Sequence, residues 1–172
     1  MRATMIAVTS ALVALSGCAS MGMADGPKAV ANLEPTKGNE VRGSVSFTQH
    51  GDKVRVSATL SGLKPDAEHG FHVHEKGDCS SGDGMSAGGH FNPAGKPHGP
   101  QDADHHMGDM PNVKADAYGN ASTAFVLKGV SVGGDAGIVG KGLIVHRDPD
   151  DYKSQPAGNA GPRIACAVIR GT

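Results

Sequence analysis

The residues of this chain best suited to chemistry are its nine histidines, His50, His69, His72, His74, His90, His98, His105, His106 and His146. His72 and His74 lie in Phe71-His72-Val73-His74. On a strand, residues two apart face the same side, so this pair could grip one metal while Phe71 and Val73 face the other way. His146 closes the apolar run Gly142-Leu143-Ile144-Val145, a second strand end. His90 sits in Gly88-Gly89-His90-Phe91-Asn92-Pro93, where glycines let the backbone approach closely. His98, His106 and Asp109 follow in the same stretch. A carboxylate beside imidazoles suits zinc, which accepts nitrogen and oxygen ligands. These are seven candidate ligands on strand ends and one glycine-rich loop. His50, His69 and His105 fall outside the pattern and read as surface or internally satisfied residues.

The elements that must position these ligands read as short strands. Val41–Phe47 and Val54–Leu60 alternate apolar and polar residues, with a hairpin signal at His50-Gly51-Asp52 between them. Further candidate strands are Gly70–His74, Val113–Ala117, Ala121–Leu127, Gly137–His146 and Ile164–Ile169, with a tight turn at Tyr118-Gly119-Asn120. No segment holds a 3.6-residue apolar period. The expectation is an all-β fold, an antiparallel β-sandwich or flattened barrel. Two long stretches, 75–112 and 147–163, lack any strand pattern. Long ordered loops are usually functional, and these hold most of the unusual residues.

The N-terminus carries an export signal. Met1-Arg2 supplies one positive charge, and Ala3–Leu15 is mostly apolar but too short for a membrane span of about 20 residues. It has the length of a signal-peptide core. Leu15-Ser16-Gly17-Cys18 resembles a bacterial lipobox, in which Cys18 becomes the acylated N-terminus. Ordinary cleavage after Ala24, in Gly22-Met23-Ala24, is the alternative. The organisation expected is a signal peptide over 1–17, a tether over 18–27 and one domain over 28–172. The location implied is the bacterial periplasm or cell envelope, with membrane contact only through the N-terminal lipid. Cys18 leaves the disulfide account on either cleavage, so Cys79 and Cys166 remain in a compartment where disulfides persist.

Composition agrees with this organisation. Glycine accounts for 26 of 172 residues and aromatics for 3%, which fits strands joined by glycine-rich loops rather than a helical bundle. Lys and Arg total 16 against 17 for Asp and Glu, so no basic footprint argues for nucleic acid.

Five separated stretches, taken together, resemble copper/zinc superoxide dismutase, and do so in the family's order. They are His69-Gly70-Phe71-His72-Val73-His74-Glu75, Ser86-Ala87-Gly88-Gly89-His90-Phe91-Asn92-Pro93, His106-Met107-Gly108-Asp109, Ile144-Val145-His146 and Gly158-Asn159-Ala160-Gly161-Pro162-Arg163-Ile164-Ala165-Cys166. The resemblance implies a Greek-key sandwich of about eight strands, with one copper and one zinc per chain. Copper would be held by His72, His74, His90 and His146, and zinc by His90, His98, His106 and Asp109. His90 would bridge the two metals. Asp150 matches a carboxylate linking the copper ligand His72 to the zinc ligand His98. Arg163 matches an arginine that attracts and orients a small anion, and Cys79 and Cys166 match a disulfide. The activity implied is dismutation of superoxide to dioxygen and hydrogen peroxide by alternate reduction and oxidation of the copper, protecting the cell envelope.

With a formal charge of −1, attraction of an anion must come from local placement. Lys76, Lys96 and Lys153 are candidates beside Arg163. Cys79 lies eleven residues before His90, a longer spacing than in the eukaryotic form and similar to the bacterial branch. Bacterial members include monomers and homodimers, so both states stay open. Two other functions compete. A metal-storage lipoprotein on this fold would lose a copper ligand or the arginine, and both are kept. A mononuclear zinc hydrolase has no use for a second four-ligand set.

Overall fold

The computed structural model describes residues 26–135 and 137–172. The signal peptide 1–17, Cys18 and the tether up to residue 25 lie outside the described residues. The strands are β1 (Lys28–Pro35), β2 (Arg42–His50), β3 (Lys53–Ser61), β4 (Glu68–His69), β5 (Phe71–His74), β6 (Val113–Lys114), β7 (Ala121–Lys128), β8 (Gly142–His146), β9 (Arg163–Val168) and β10 (Arg170–Gly171).

Alternation sets the layers. In β3, Val54, Val56, Ala58 and Leu60 are buried while Lys53, Arg55, Thr59 and Ser61 face outward. The β2–β3 hairpin closes through Gly51-Asp52. Gly51 takes φ 59° at the first central position, the positive φ that lets a two-residue loop follow the strand twist. The sheet runs β5-β8-β9-β1-β2-β3-β7, with β10 added beside β1, and all of these strand pairs are antiparallel. β1 is the seam. It pairs with β2 over Lys28–Leu33 and then with β9 at Glu34 and Pro35. The sheet thus folds into two halves whose inner faces share one core, including Phe47, Val54 and Leu127 from one half and Phe71, Val73, Leu143 and Val145 from the other. This is the Greek-key sandwich class expected.

Several element limits differ from expectation. β1 has no counterpart among the strands expected from the sequence. Its inward residues are Ala29, Ala31 and Leu33, and alanine is a weak strand signal. Of Val113–Ala117 only Val113–Lys114 is strand, paired with β4, because Asp116 starts the next turn by accepting from Gly119 N at 3.0 Å. Gly137–Lys141 is a turn rather than the start of β8: Lys141 N donates to Ile138 O at 3.0 Å and Gly140 adopts φ 82°. The 75–112 stretch contains one short 3-10 turn, Met85–Ala87. Gly26 and Pro27, assigned to the tether, lie along β2: Gly26 N donates to Gln49 O at 2.9 Å and Gln49 N donates to Pro27 O at 3.0 Å.

β5 and β8 are buried on both faces. The core covers one face and the two long loops cover the other. Under the first loop lies a second apolar cluster of Ala87, Ile144 and Cys166, with Cys79 packed against it. Cys79 and Cys166 form a disulfide across 87 positions of chain. Closing a loop of that length restricts the unfolded chain by roughly 4–5 kcal/mol in the chain-entropy model. The double variant Cys79→Ala/Cys166→Ala should therefore lose about 2–5 kcal/mol in denaturant unfolding. A loss under about 1 kcal/mol would show that the loop is held without the covalent tie.

Candidate metal centre

The period of β5 aims Phe71 and Val73 into the core and His72 and His74 outward, beneath the loops. Register places His72 beside Ile144 of β8, and Ile144 beside Cys166 of β9. A register shift between Val145 and His146 ends β8, and His146 N donates to Gly70 O at 2.8 Å. The first loop then passes β5 twice. Phe91 N donates to Val73 O at 2.8 Å, Val73 N to Gly108 O at 2.9 Å, and Gly108 N to Phe91 O at 2.8 Å. Those three bonds bring His90 and Asp109 beside the β5 histidines.

The seven candidate ligands fall into two groups that share His90. One is His72, His74, His90 and His146; the other is His90, His98, His106 and Asp109. In each, the ligand atoms lie within 4.8 Å of one another. In the first group, His72 Nδ1, His74 Nε2, His90 Nε2 and His146 Nε2 are buried without a hydrogen-bond partner. The opposite nitrogen of each ring is engaged. His74 Nδ1 donates to Gly88 O at 2.9 Å, His146 Nδ1 to Gly161 O at 3.0 Å, and His72 Nε2 to Asp150 Oδ2 at 2.8 Å. Carbonyls and carboxylates only accept, so those bonds fix the tautomers and turn three free lone pairs toward one point. A buried unpartnered polar atom costs about 1–3 kcal/mol. Four that converge fit a cation that prefers imidazole, as copper does.

The second group fits zinc. His90 Nδ1 lies 2.7 Å from Asp109 Oδ1, His106 Nδ1 3.3 Å from the same oxygen, and His98 Nδ1 3.0 Å from Asp109 Oδ2 without forming a hydrogen bond. Three nitrogens and a carboxylate make a closed zinc donor set. Asp150 joins the groups, accepting from His72 Nε2 and from His98 Nε2 at 2.8 Å each.

The family model for copper/zinc superoxide dismutase (SODC) matches residues 41–169. The chain belongs to that family. A curated relative, superoxide dismutase [Cu-Zn] of Paramecium bursaria Chlorella virus 1, is 44% identical over 136 residues, which is 75% of this chain and 72% of the relative. Among solved structures, the crystal structure of the clock protein EA4 is similar with a TM-score of 0.76 and 41% identity, over 83% of this chain and 93% of that one. This dismutase converts superoxide to dioxygen and hydrogen peroxide and takes one copper and one zinc per chain.

Arg163 is half-buried beside the first group. Its Nη1 donates to Gly84 O and its Nη2 to Gly88 O, each at 2.6 Å, so the Gly88 carbonyl is shared with His74. Lys76 borders a groove with His90 and Lys141, Lys96 pairs with Asp104 at 3.2 Å, and Lys153 is exposed on the second loop. His69 is fully buried, with Nδ1 on His146 O at 2.9 Å and Nε2 unpartnered. His105 Nδ1 bonds His106 O at 2.6 Å, and His50 lies on the outer face of β2.

Three positioning residues of the dismutase belong to none of the motifs in the sequence. Asn112 clamps the Asp150 backbone, donating from Nδ2 to Asp150 O at 3.0 Å and accepting Asp150 N at 2.9 Å. Tyr152 accepts Asn112 N on its hydroxyl at 2.7 Å and donates its own N–H to Asp150 Oδ1 at 2.7 Å. Gln155 brackets the His98 backbone with bonds of 2.8 and 2.9 Å. Gly158 packs where any Cβ would run into the Asp150 carboxylate, at φ 63°. The sole sequence signal for Asn112, Tyr152 and Gln155 is the length of the loops.

Burial separates the two groups electrostatically. It lowers His72 to about 4, His146 to about 3 and His74 well below its ordinary value, with neighbouring histidine charges adding to the effect for each. These rings are neutral at pH 7, the form in which an imidazole can ligate a metal. Burial also opposes charge on His98, but the Asp109 and Asp150 carboxylates beside its two ring nitrogens outweigh it and raise His98 to about 9. Burial raises the two carboxyls as well, yet the histidine hydrogen bonds hold both well below the usual carboxylate range. In the metal-free chain His98 is therefore protonated at neutral pH. A cation at Nδ1 must displace that proton. Calorimetric zinc titration in buffers of different ionisation enthalpy should show about one proton released per zinc near pH 7, falling toward none above pH 9. Asp150→Asn should weaken zinc retention on the order of 10–100-fold. No proton release at pH 7 would contradict this charge arrangement.

Proposed function

We propose that His72, His74, His90 and His146 hold copper, that His90, His98, His106 and Asp109 hold zinc, and that Arg163 and His90 do the chain's own work in dismutation. The observation carrying this reading is the convergence of four buried, unpartnered imidazole nitrogens beside a zinc-type donor set that shares one ring. When bound, copper supplies one-electron redox chemistry and zinc a fixed positive charge on the far side of the shared ring.

Arg163 is a permanent cation whose planar fork is pinned by two carbonyls. Of its five N–H donors, those two bonds leave three to orient a superoxide anion. His90 Nε2 takes up a proton and delivers it to the reduced oxygen species, while Nδ1 is kept facing Asp109. Two superoxide anions and two protons give dioxygen and hydrogen peroxide. Asp150 positions His72 and His98 by accepting from both, so neither ring can rotate without breaking a buried charge-assisted bond.

The sequence from Met1 to Cys18 further supports a reading in which the enzyme is exported in a bacterium, acylated at Cys18 and tethered in the cell envelope, where it removes superoxide.

His90→Ala should abolish cyanide-sensitive dismutation by the purified, metal-loaded enzyme, and unchanged activity would sink the role of the shared ring. Arg163→Ala should lower kcat/KM on the order of 10–100-fold with both metals retained, and Arg163→Lys should recover part of it. An enzyme that holds one copper and one zinc yet shows no dismutation would defeat the whole reading.

Mass spectrometry of the N-terminal peptide from membrane-extracted protein should find Cys18 as a lipid-modified N-terminus. An N-terminus at Asp25 would mean ordinary cleavage and no anchor.

A further inference from the structure

The outer face of the β1-β2-β3-β7 half-sheet is uneven in charge. Its cross-strand rows can be taken from the register, because directly paired residues share a face. One end holds the row Lys28–Thr48–Arg55–Val126 and, next to it, the row His50–Lys53–Lys128. Of the following two rows, Val30–Ser46–Ser57–Ala124 carries one charge, Arg170 of β10 beside Val30, and Asn32–Ser44–Thr59–Ser122 carries none. Beyond them Arg42 is neutralised by Glu34 at 2.7 Å. In a chain of net charge −1, the cations that β3 and β7 present on this face, Lys53, Arg55 and Lys128, are gathered at one end. No carboxylate pairs with Lys53, Arg55 or Lys128 among the described residues. His50, Lys53 and Arg55 also border a shallow groove of about 310 Å³ with Val126, which is 51% exposed.

Lysine on the edge strand β7 has a bland use in keeping copies of a sheet apart. Lys53 and Arg55 are on β3, inside the sheet, where that explanation does not reach. The position of the chain's entry suggests a different one. Gly26 and Pro27 bond Gln49, so the chain enters the fold next to His50, at the cationic end. Seven residues separate Gly26 from Cys18, a reach of about 28 Å when fully extended. A lipid on Cys18 would hold this end within that distance of a bilayer.

We infer that the Lys53–Arg55–Lys128 end of the outer sheet seats on anionic phospholipid headgroups, with exposed Val126 at its β7 edge. The inference rests on the Cys18 anchor for its geometry. Lysine and arginine beside an anionic bilayer each strengthen attachment about fivefold. The metal ligands lie on the outer face of the other half-sheet, across the shared core. Seating by the cationic end therefore turns the metal centre away from the membrane, toward the aqueous compartment from which superoxide arrives.

The test uses a chain beginning at Ala19, which omits only residues outside the described fold and lacks Cys18. In flotation at low salt with millimolar lipid, it should associate at least about tenfold more with phosphatidylglycerol–phosphatidylcholine vesicles than with pure phosphatidylcholine. High salt should erase the preference. Lys53→Glu/Arg55→Glu/Lys128→Glu should reduce association about a hundredfold with dismutation unchanged. The control Lys37→Glu/Lys64→Glu/Lys114→Glu, on exposed lysines elsewhere, should leave it intact. Equal association of parent and triple variant, or no preference of the parent for anionic vesicles, overturns the inference. The anchor is read separately, by the N-terminal mass and by flotation of membrane-extracted protein on pure phosphatidylcholine. Failure there removes the anchor, while the vesicle result alone decides whether the sheet face binds anionic lipid.

Discussion

Asp150 accepts a 2.8 Å hydrogen bond from His72 Nε2 on one oxygen and from His98 Nε2 on the other, and all three side chains are buried. Much of the metal centre depends on that pair. His72 belongs to β5 and His98 to the first loop, so the carboxylate ties a rigid element to an irregular one. Because both imidazoles must donate to it, their Nδ1 atoms are left to face the two metal groups. A carboxylate so deeply placed is tolerable only because it is fully engaged, and the same engagement immobilises the second loop that bears it. Asn112, Tyr152 and Gln155 extend the scheme by holding the backbone of Asp150 and His98.

The sandwich bears its chemistry on the outside. A β-strand in a two-layer fold buries one face against the core and leaves the other for solvent. Here β5 and β8 offer that second face to a metal centre, and the long loops take the place of solvent. The covering loops need their own apolar footing, which the Ala87, Ile144 and Cys166 cluster provides beneath the first of them. Glycine abundance follows from the same arrangement, since irregular backbone must come within hydrogen-bonding distance of histidine rings at Gly88 and Gly161.

The period-two pattern makes β2, β3, β5 and β7 legible, because the inner row of each holds at least two large apolar or aromatic residues. It cannot show β1, whose inner row is mostly alanine, nor the turn that shortens β8, where Ile138 and Val139 look like strand but Gly140 reverses the chain. The ligand types are visible in their spacing on strand ends and in the glycine-rich loop. Their grouping around one shared ring comes from resemblance. The clamps are invisible, because Asn112 and Gln155 are ordinary polar residues whose partners lie 38 and 57 positions away. Such contacts are properties of loop paths, which no local pattern encodes.

The disulfide and Arg163 are parts of one mechanical unit. Arg163 and Cys166 occupy the same strand, β9, three positions apart. Cys166 is bonded to Cys79 at the start of the covering loop, and Arg163 donates to Gly84 and Gly88 further along it. The loop is therefore pinned to β9 by a covalent bond and by two charge-assisted hydrogen bonds. Gly88 O is also the acceptor that sets the His74 tautomer. A displacement of this loop would disturb together the guanidinium proposed to meet the anion and the imidazole that faces the first metal group. With a net charge near zero, the chain has little long-range field to draw an anion, so in the role proposed for Arg163 its local placement matters more than it would on a strongly basic protein. The cross-linked loop is what gives Arg163 that placement.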